Sequence, residues 1–251
     1  LATTEAPDDL NELARYLYRE WDNEDPQVME QGIANLQAFL ADVPSLDRDT
    51  NTQDRAWDME PPSEEDVSDV GRPDDVKAED MLGVSVGYAS PWGMDDHVRL
   101  QLEEDQTPAE PTAKEYDRDV TDGACFADGT CDVMLTVNDM RRSNATMKIT
   151  FTLYKDFRWV AVGEDRRAMI SRSWTDQVWE GDSGSSAILQ SHSLDAWIEQ
   201  DDGTSWRWQN VWSESKTIGD DQTVKATLKW ATNGIFEAGD DAIEEMYHPE
   251  E

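Results

Sequence analysis

The stretch LDAWIEQDDGTSWRWQNVW, residues 194–212, reads as two β-strands joined by a tight turn. Apolar and polar residues alternate on both sides of Asp201-Asp202-Gly203, and a period of two is typical of a strand with one buried face. Asp-Gly is a favoured pair in short hairpin turns. The stretch therefore predicts an antiparallel hairpin.

The same pattern recurs over most of the chain after residue 80. Short alternating segments are predicted as strands at 81–90, 97–102, 131–138, 145–154, 157–163, 167–174, 186–193 and 223–232. Residues 103–123 read as a long loop, and 238–251 as a short helix with an acidic end. Successive hairpins usually pair with their sequence neighbours, so the prediction is an antiparallel β-sandwich or a barrel-like meander.

Three regions are predicted along the chain. Residues 1–41 carry apolar residues at helical spacing on either side of Asp25-Pro26, which predicts an N-terminal helical hairpin. Residues 42–80 are acidic and contain prolines, as in a linker or a wrap over the surface, which Trp57 and Met59 could anchor. Residues 81–251 form the predicted β domain.

The charge of the chain excludes some partners. Asp and Glu total 56 against 21 Lys and Arg, a formal net charge of −35. Phosphates and anionic lipids repel such a surface, so nucleic acid is not expected as a partner. The excess of Asp over Glu and the scarcity of Lys are typical of halophilic, salt-adapted proteins. No run of 18 apolar residues exists, so no integral membrane segment is predicted.

The two cysteines, Cys125 and Cys131, flank a turn-like Ala127-Asp128-Gly129-Thr130. A disulfide closing a tight hairpin is the favoured interpretation, and two reduced thiols are the alternative. Zinc would need further soft ligands, and the three histidines are not spaced to supply them. A disulfide implies an oxidising compartment, so an extracellular or periplasmic location is expected. Asn144-Ala145-Thr146 also fits a glycosylation acceptor.

Gly181-Asp182-Ser183-Gly184 matches the residues around the nucleophile of trypsin-like serine proteases. That family also needs a histidine in an Ala-Ala-His-Cys motif, and the upstream His97 lies in no such motif. The four residues equally suit a β-turn, which is the interpretation we adopt. His192 and Asp195 are three positions apart in a predicted strand, so their side chains should face opposite sides. No catalytic group is predicted.

Asp47, Asp49, Asn51 and Asp58 match four ligand positions of a calcium-binding EF-hand loop. Thr52 replaces the glycine of the sharp turn, and Asp58 replaces the bidentate glutamate. Calcium is therefore a weak candidate, and no other cofactor is expected.

Trp206, Trp208 and Trp212 share one face of a predicted strand. Buried, they would belong to the core; exposed, they could stack on sugar rings or bind an apolar ligand. Since no catalytic constellation survives, the sequence predicts a secreted or periplasmic binding protein that is not an enzyme. It would contact a protein partner or a neighbour in a cell-envelope or extracellular assembly. The alternative is a carbohydrate-binding module or glycoside hydrolase that uses the tryptophans on a glycan.

Overall fold

The structure is a computed structural model that describes residues 5–143, 148–216 and 219–249. The helices in these ranges are α1 (Leu10–Arg19), α2 (Pro26–Ala41), α3 (Met94–Leu102), α4 (Gly123–Ala127) and α5 (Asp221–Tyr247). The strands are β1 (Ala56–Met59), β2 (Leu82–Ser90), β3 (Ala113–Thr121), β4 (Val133–Ser143), β5 (Lys148–Val162), β6 (Arg166–Trp174), β7 (Trp179–Glu180), β8 (Ala187–Glu199) and β9 (Ser205–Lys216). The glycosylation-like Asn144–Thr146 lies outside the described residues.

All nine of these strands belong to one antiparallel sheet in the order β1-β2-β9-β8-β6-β5-β4-β3, with β7 beside β8. The mainly antiparallel β-sheet is thus confirmed, including the hairpin of β8 and β9. The described strands form one sheet that is open at β1 and β3, so it is not a closed barrel, and the predicted sandwich or barrel-like meander is not confirmed. Helices cover its faces in place of a second sheet, because each face still has apolar side chains to bury.

The first face of the sheet carries the main apolar core. α1 and α2 lie on it, each with an aspartate N-cap: Asp9 accepts from the N–H groups of Asn11 and Glu12, and Asp25 from that of Gln27. Their buried stripes meet the side chains of alternate residues of β6, β8 and β9. This cluster includes Leu17, Ile33, Leu36, Ile170, Leu194, Ala196, Trp208 and Trp212.

Residues 42–80 run over this part of the molecule as an extended segment with short 3₁₀ turns and the strand β1. The Trp57 ring meets that of Phe39 edge-on at 5.2 Å between centroids, and Met59 is buried. The acidic composition of the segment therefore does not prevent it from packing through a few large side chains.

The second face of the sheet is covered by α3 and the long α5. The strand predicted at 223–232 is wrong, because these residues begin α5, where Asp220 caps the Thr223 N–H. Burial recurs at Thr232, Phe236, Gly239 and Ile243, which is a helical period.

Two further local predictions are also wrong. The strand predicted at 97–102 lies in α3, where residues three and four apart are buried. The loop predicted at 103–123 contains β3. β3 is an edge strand that is exposed at most of its positions, so it lacks the alternation that would have marked it in the sequence.

The structure contains the predicted disulfide between Cys125 and Cys131, with the Cα atoms 5.3 Å apart. It does not close a strand hairpin, because Cys125 lies in the short helix α4. Phe126 from the same turn is fully buried and stacks on Trp159 at 4.9 Å between centroids. The disulfide thus fixes the position of the buried Phe126 just before β4.

Candidate binding cavity beneath α5

A cavity of about 40 Å³ lies between the second face of the sheet, α3 and α5. Because successive side chains of a strand point to opposite faces of the sheet, every second side chain faces this cavity. The lining is mainly polar and charged, and it consists of Leu100, Gln101, Gln106, Ala109, Glu110, Tyr116, Arg118, Lys155, Asp195, Trp197, Arg207, Gln209, Ile235 and Gly239. One face of the sheet is therefore an apolar core, whereas the other encloses charged groups.

Lys155 and Asp195 form an ion pair in this cavity, with Nζ 3.6 Å from Oδ2. Ser171 donates a hydrogen bond to the same Oδ2 at 3.2 Å. Burial raises the pKa of Asp195 and lowers that of Lys155, and each partner's charge opposes the shift of the other. The Lys155 ammonium also lies 5.0 Å from the centroid of the Phe157 ring.

Arg207 lies almost fully buried between β9 and α5. Its Nη1 donates to the main-chain carbonyl of Phe236 at 3.3 Å, and its guanidinium lies over the Phe236 and Trp197 rings. Burial lowers the pKa of Arg207, but an arginine stays protonated in proteins. A Cβ on Gly239 would come within 3.0 Å of Nη1, so the glycine lets α5 approach this guanidinium closely.

Arg118 supplies a second guanidinium from β3. Its Nη1 donates to the carbonyl oxygens of Gln101 at 2.6 Å and of Glu103 at 3.4 Å. Burial lowers its pKa as well. Within the described residues, neither Arg118 nor Arg207 has a carboxylate within ion-pair distance. Main-chain carbonyls and aromatic rings contact both guanidiniums, and the carboxylates of Asp240, Asp195 and Glu110 act on the charge of Arg207 from further away.

Four buried polar atoms of the lining have no hydrogen-bond partner in the part of the chain that the structure describes. They are Nε of Arg118, Nε of Arg207, Nε1 of Trp197 and Oε1 of Gln209. Three of the four are donors, and buried polar groups are normally satisfied. The three N–H groups can therefore donate hydrogen bonds to oxygen atoms of a bound molecule.

The predicted tryptophan row lies on the opposite side of the sheet from this cavity. Trp208 and Trp212 are fully buried beneath α1 and α2, and Trp206 is partly buried against the same core. The Trp212 Nε1–H donates to the carbonyl of Glu60 at 2.9 Å. These rings do share one face, as predicted, but that face is the interior.

The protease-like residues form a turn. The Gly184 N–H donates to the carbonyl of Gly181 at 2.8 Å, and the Ser183 hydroxyl lies 2.6 Å from that of Ser185. His97 is buried elsewhere, 3.0 Å from the Ser90 hydroxyl. His192 contacts the Tyr18 hydroxyl on the first face of the sheet, while Asp195 faces the cavity, as their spacing predicts.

The calcium candidates are held in other interactions. Asp58 lies in β1 and pairs with Lys229 at 2.6 Å and Lys225 at 3.3 Å. The Asn51 side chain caps a 3₁₀ turn by accepting from the Gln53 N–H. Across the described ranges, no group of three or more His, Cys, Asp or Glu side chains is placed to hold a metal ion. Calcium binding stays a prediction.

Comparison with protein-family models and with curated proteins finds no match to this sequence. Similar solved structures include the STAR-related lipid transfer protein of Xanthomonas axonopodis, with 12% identity over 68% of this chain and 90% of that one and a TM-score of 0.46. A START superfamily protein from Mycobacterium smegmatis has 12% identity over 65% and 98%, with a TM-score of 0.41. Human STARD10 has 7% identity over 76% and 69%, with a TM-score of 0.42.

The function predicted from sequence, an envelope or extracellular interaction protein with a carbohydrate-active alternative, is wrong. Binding of a glycan by the tryptophans would require that face of the sheet to be exposed to solvent, and the structure places it in the apolar core. No helix in the described ranges has the length and apolar character needed to cross a bilayer. Location and halophily stay predictions.

Sequence reasoning missed the cavity residues Lys155, Asp195, Arg207 and Gln209. A signal exists for Asp195 and Arg207, because each is a charged residue with an apolar residue on either side of it in a strand, whereas Lys155 lies between Tyr154 and Asp156 and carries no such signal. Such a strand also describes an ordinary sheet with one solvated face. The helix α5 covers this face, which distinguishes an enclosed cavity from a solvated face. The sequence could not show this, because the first part of α5 was predicted as a strand.

Proposed function

We propose that the protein binds a small amphipathic organic acid in the cavity beneath α5. The observation that carries this proposal is the pair of interior guanidiniums, Arg118 and Arg207, that have no carboxylate partner in the described chain. A buried charge is costly unless it is paired and hydrogen-bonded. A ligand carboxylate would supply that pairing.

The other charges of the cavity are already matched. Lys155 pairs with Asp195, and Glu110 accepts from Arg142 Nη2 at 2.8 Å. The anion of a ligand is therefore directed to the two arginines, where Arg–carboxylate hydrogen bonds are strong. The unpartnered Trp197 Nε1–H offers a third donor on the same side.

The apolar part of the ligand would lie against Leu100, Trp197 and Ile235, which line the same cavity. The present volume of about 40 Å³ holds little more than one water molecule. Binding therefore requires α5 or the turn Thr107–Ala109 that contacts it to move outward. Gly234, whose Cβ position is open, and Gly239 give α5 two places of low side-chain bulk for this movement.

The experiment is a calorimetric titration with straight-chain carboxylates from butyrate to dodecanoate in 0.3 M NaCl, with decanol and decylamine as uncharged and cationic comparisons. We expect one carboxylate per protein, and weaker or no binding of the comparisons. Arg118→Gln should weaken binding roughly 10- to 100-fold, the effect of a lost charged hydrogen bond.

The matched control is Arg141→Gln, which removes an arginine of the neighbouring strand that pairs with Glu115 and Asp182 away from the cavity. It should leave the titration unchanged. Equal binding of decanoate and decylamine, or equal effects of the two substitutions, would exclude the arginines as the anion site. Absence of binding for the whole series would overturn the proposal.

A further inference from the structure

Lys155 is the one lysine in the described lining of the cavity beneath α5. Its side chain is 17% exposed, so a molecule that enters the cavity can contact it. The 3.6 Å between its Nζ and Oδ2 of Asp195 is longer than a hydrogen bond. The two groups are therefore held together by charge, and the amine stays within reach of a ligand.

The amine of Lys155 shares an aromatic neighbour with each arginine of the cavity. It lies 5.0 Å from the centroid of the Phe157 ring and 5.6 Å from that of the Trp197 ring. The Arg118 guanidinium lies over the same Phe157 ring at 6.0 Å. The Arg207 guanidinium lies over the same Trp197 ring at 5.4 Å. A ligand held by the two arginines would therefore lie close to the amine.

The surroundings of Lys155 favour its uncharged form. Burial is the main cause of its lowered pKa, and the positive charges of Arg118 and Arg207 lower this pKa further. The carboxylates of Asp195 and Glu110 act in the opposite direction. A desolvated lysine beside other cations is a better nucleophile, because a larger fraction of it is the free amine.

Asp195 is placed to exchange a proton with Lys155. Burial raises the pKa of Asp195, so this carboxylate accepts a proton more readily than an exposed one does. Transfer of a proton from the ammonium to the carboxylate converts the ion pair into an amine and a carboxylic acid, which are less costly to bury than two charges. The hydrogen bond from the Ser171 hydroxyl to Oδ2 holds the carboxyl group in place.

We propose that Lys155 forms a Schiff base with an oxo acid whose carboxylate is held by Arg118 and Arg207. This inference rests on the proposed binding of an organic acid in the same cavity, and it names the class of acid: one with a ketone or aldehyde carbonyl near the carboxylate. An acid without a carbonyl would use the arginines alone. Entry of the ligand requires the same outward movement that the proposed binding requires.

The reaction consumes one carbonyl compound and releases one water molecule. After Asp195 has taken a proton from Lys155, the amine nitrogen attacks the carbonyl carbon, and the C–N bond forms as the C=O π electrons move to oxygen. A proton moves from nitrogen to that oxygen, which gives a carbinolamine. Asp195 returns its proton to the hydroxyl group, water leaves, and the nitrogen lone pair forms the C=N bond of the iminium ion. Water reverses these steps.

The test is reductive trapping with sodium cyanoborohydride at about pH 7, which converts an iminium ion into a stable amine. The probe 2-oxohexanoate carries both groups, hexanoate lacks the ketone, and 2-hexanone lacks the carboxylate. We expect 2-oxohexanoate to label Lys155 first, as mapped by peptide mass, with the other six lysines of the chain as internal controls. Labelling by 2-hexanone should be roughly 10- to 100-fold slower, because it lacks the charged hydrogen bonds to the arginines. Hexanoate should inhibit labelling by 2-oxohexanoate.

Two conservative substitutions provide the matched comparison. Lys155→Arg keeps a cation beside Asp195 but cannot form an imine, so the adduct should be lost. Lys229→Arg is the control, because Lys229 is also largely buried beside an aspartate, 2.6 Å from Asp58, and does not line the cavity. It should leave the labelling unchanged. If the Lys155→Arg protein does not fold, the adduct mapped on the wild type still decides.

The outcomes separate this inference from the proposed acid binding. Calorimetric binding of 2-oxohexanoate with no preferred adduct on Lys155 would overturn the Schiff base and leave acid binding intact. Equal labelling rates with 2-hexanone and 2-oxohexanoate would overturn the assignment of an oxo acid. Absence of calorimetric binding for both hexanoate and 2-oxohexanoate would overturn the acid binding, and this inference with it.

Discussion

The ammonium of Lys155 on β5 reaches the carboxylate of Asp195 on β8 across the intervening strand β6, with 3.6 Å between Nζ and Oδ2. β6 permits this reach because small residues, Ser171 and Ser173, lie opposite the two partners. The pair therefore ties together three strands on the face of the sheet that α5 covers.

Breaking this pair should destabilise the protein strongly. Lys155→Met removes the ion-pair partner of the buried Asp195, and removing one partner of a buried ion pair costs about 3–5 kcal/mol. Urea denaturation followed by tryptophan fluorescence measures the loss. Lys114→Met, at an exposed position of β3, is the control and should change the free energy of unfolding by less than about 0.5 kcal/mol. Similar losses for both variants would show that the pair contributes nothing.

The double variant Lys155→Met with Asp195→Leu separates the cost of the orphaned charge from the loss of packing. Apolar replacement of a whole buried pair is often neutral. We expect the double variant to be more stable than Lys155→Met alone. A double variant less stable than the single one would assign the stability to side-chain shape.

Acid should destabilise the fold through His192. Burial lowers the pKa of His192 to about 3, so the folded state leaves the ring neutral while the unfolded state protonates it near its ordinary value of 6.5. A group whose pKa is lower in the folded state contributes stability that is complete above 6.5 and is lost as the pH falls. The contribution of this one histidine is about 1.4 kcal/mol per pH unit.

The measurement is the free energy of unfolding at pH 7.5, 6.0 and 5.0 for the wild type and for His192→Gln, whose amide can still accept from Tyr18. His97, whose pKa burial also lowers, and the buried carboxylates act equally in both proteins. The variant should therefore lose less stability between pH 7.5 and 5.0. Parallel curves would contradict a neutral buried ring at position 192.

The secondary structure of segments with strong periodic patterns could be predicted from the sequence. Features that depend on tertiary packing, such as which sheet face is buried, could not. The β8–β9 hairpin follows from alternation and an Asp-Gly turn. The sequence placed Trp206, Trp208 and Trp212 on one face of a strand, but it could not show that α1 and α2 cover this face and shield it from solvent. The first third of α5 has Thr, Val and Trp, which favour strands, and packing of Thr232 and Phe236 against the sheet overrides that preference.

The buried tryptophans should act as core residues. Trp212→Ala should lower the free energy of unfolding by about 3–5 kcal/mol, because it leaves a large cavity and an unpaired Glu60 carbonyl. Trp230→Ala is the matched control, since this side chain on α5 is 70% exposed. It should cost less than about 0.5 kcal/mol. A small loss for Trp212→Ala in thermal or urea unfolding would refute the core assignment.

The disulfide should add modest stability because its loop is short. Replacing Cys125 and Cys131 by serine should cost about 2 kcal/mol in the chain-entropy description. The loss should be accompanied by greater hydrogen exchange in 123–133, where Phe126 anchors α4, and by little change in β8 and β9. Uniform loss of protection across the sheet would mean that the bridge supports the whole fold.

The apolar core on the first face of the sheet has a practical consequence for anyone shortening this chain. A recombinant fragment that starts at residue 81 would keep eight of the nine described strands, yet Trp208 and Trp212 would lose the helices that shield them from water. A large exposed apolar surface of this kind promotes self-association. Such a fragment should precipitate when expressed alone, and adding residues 5–80 as a separate peptide should bring it back into solution.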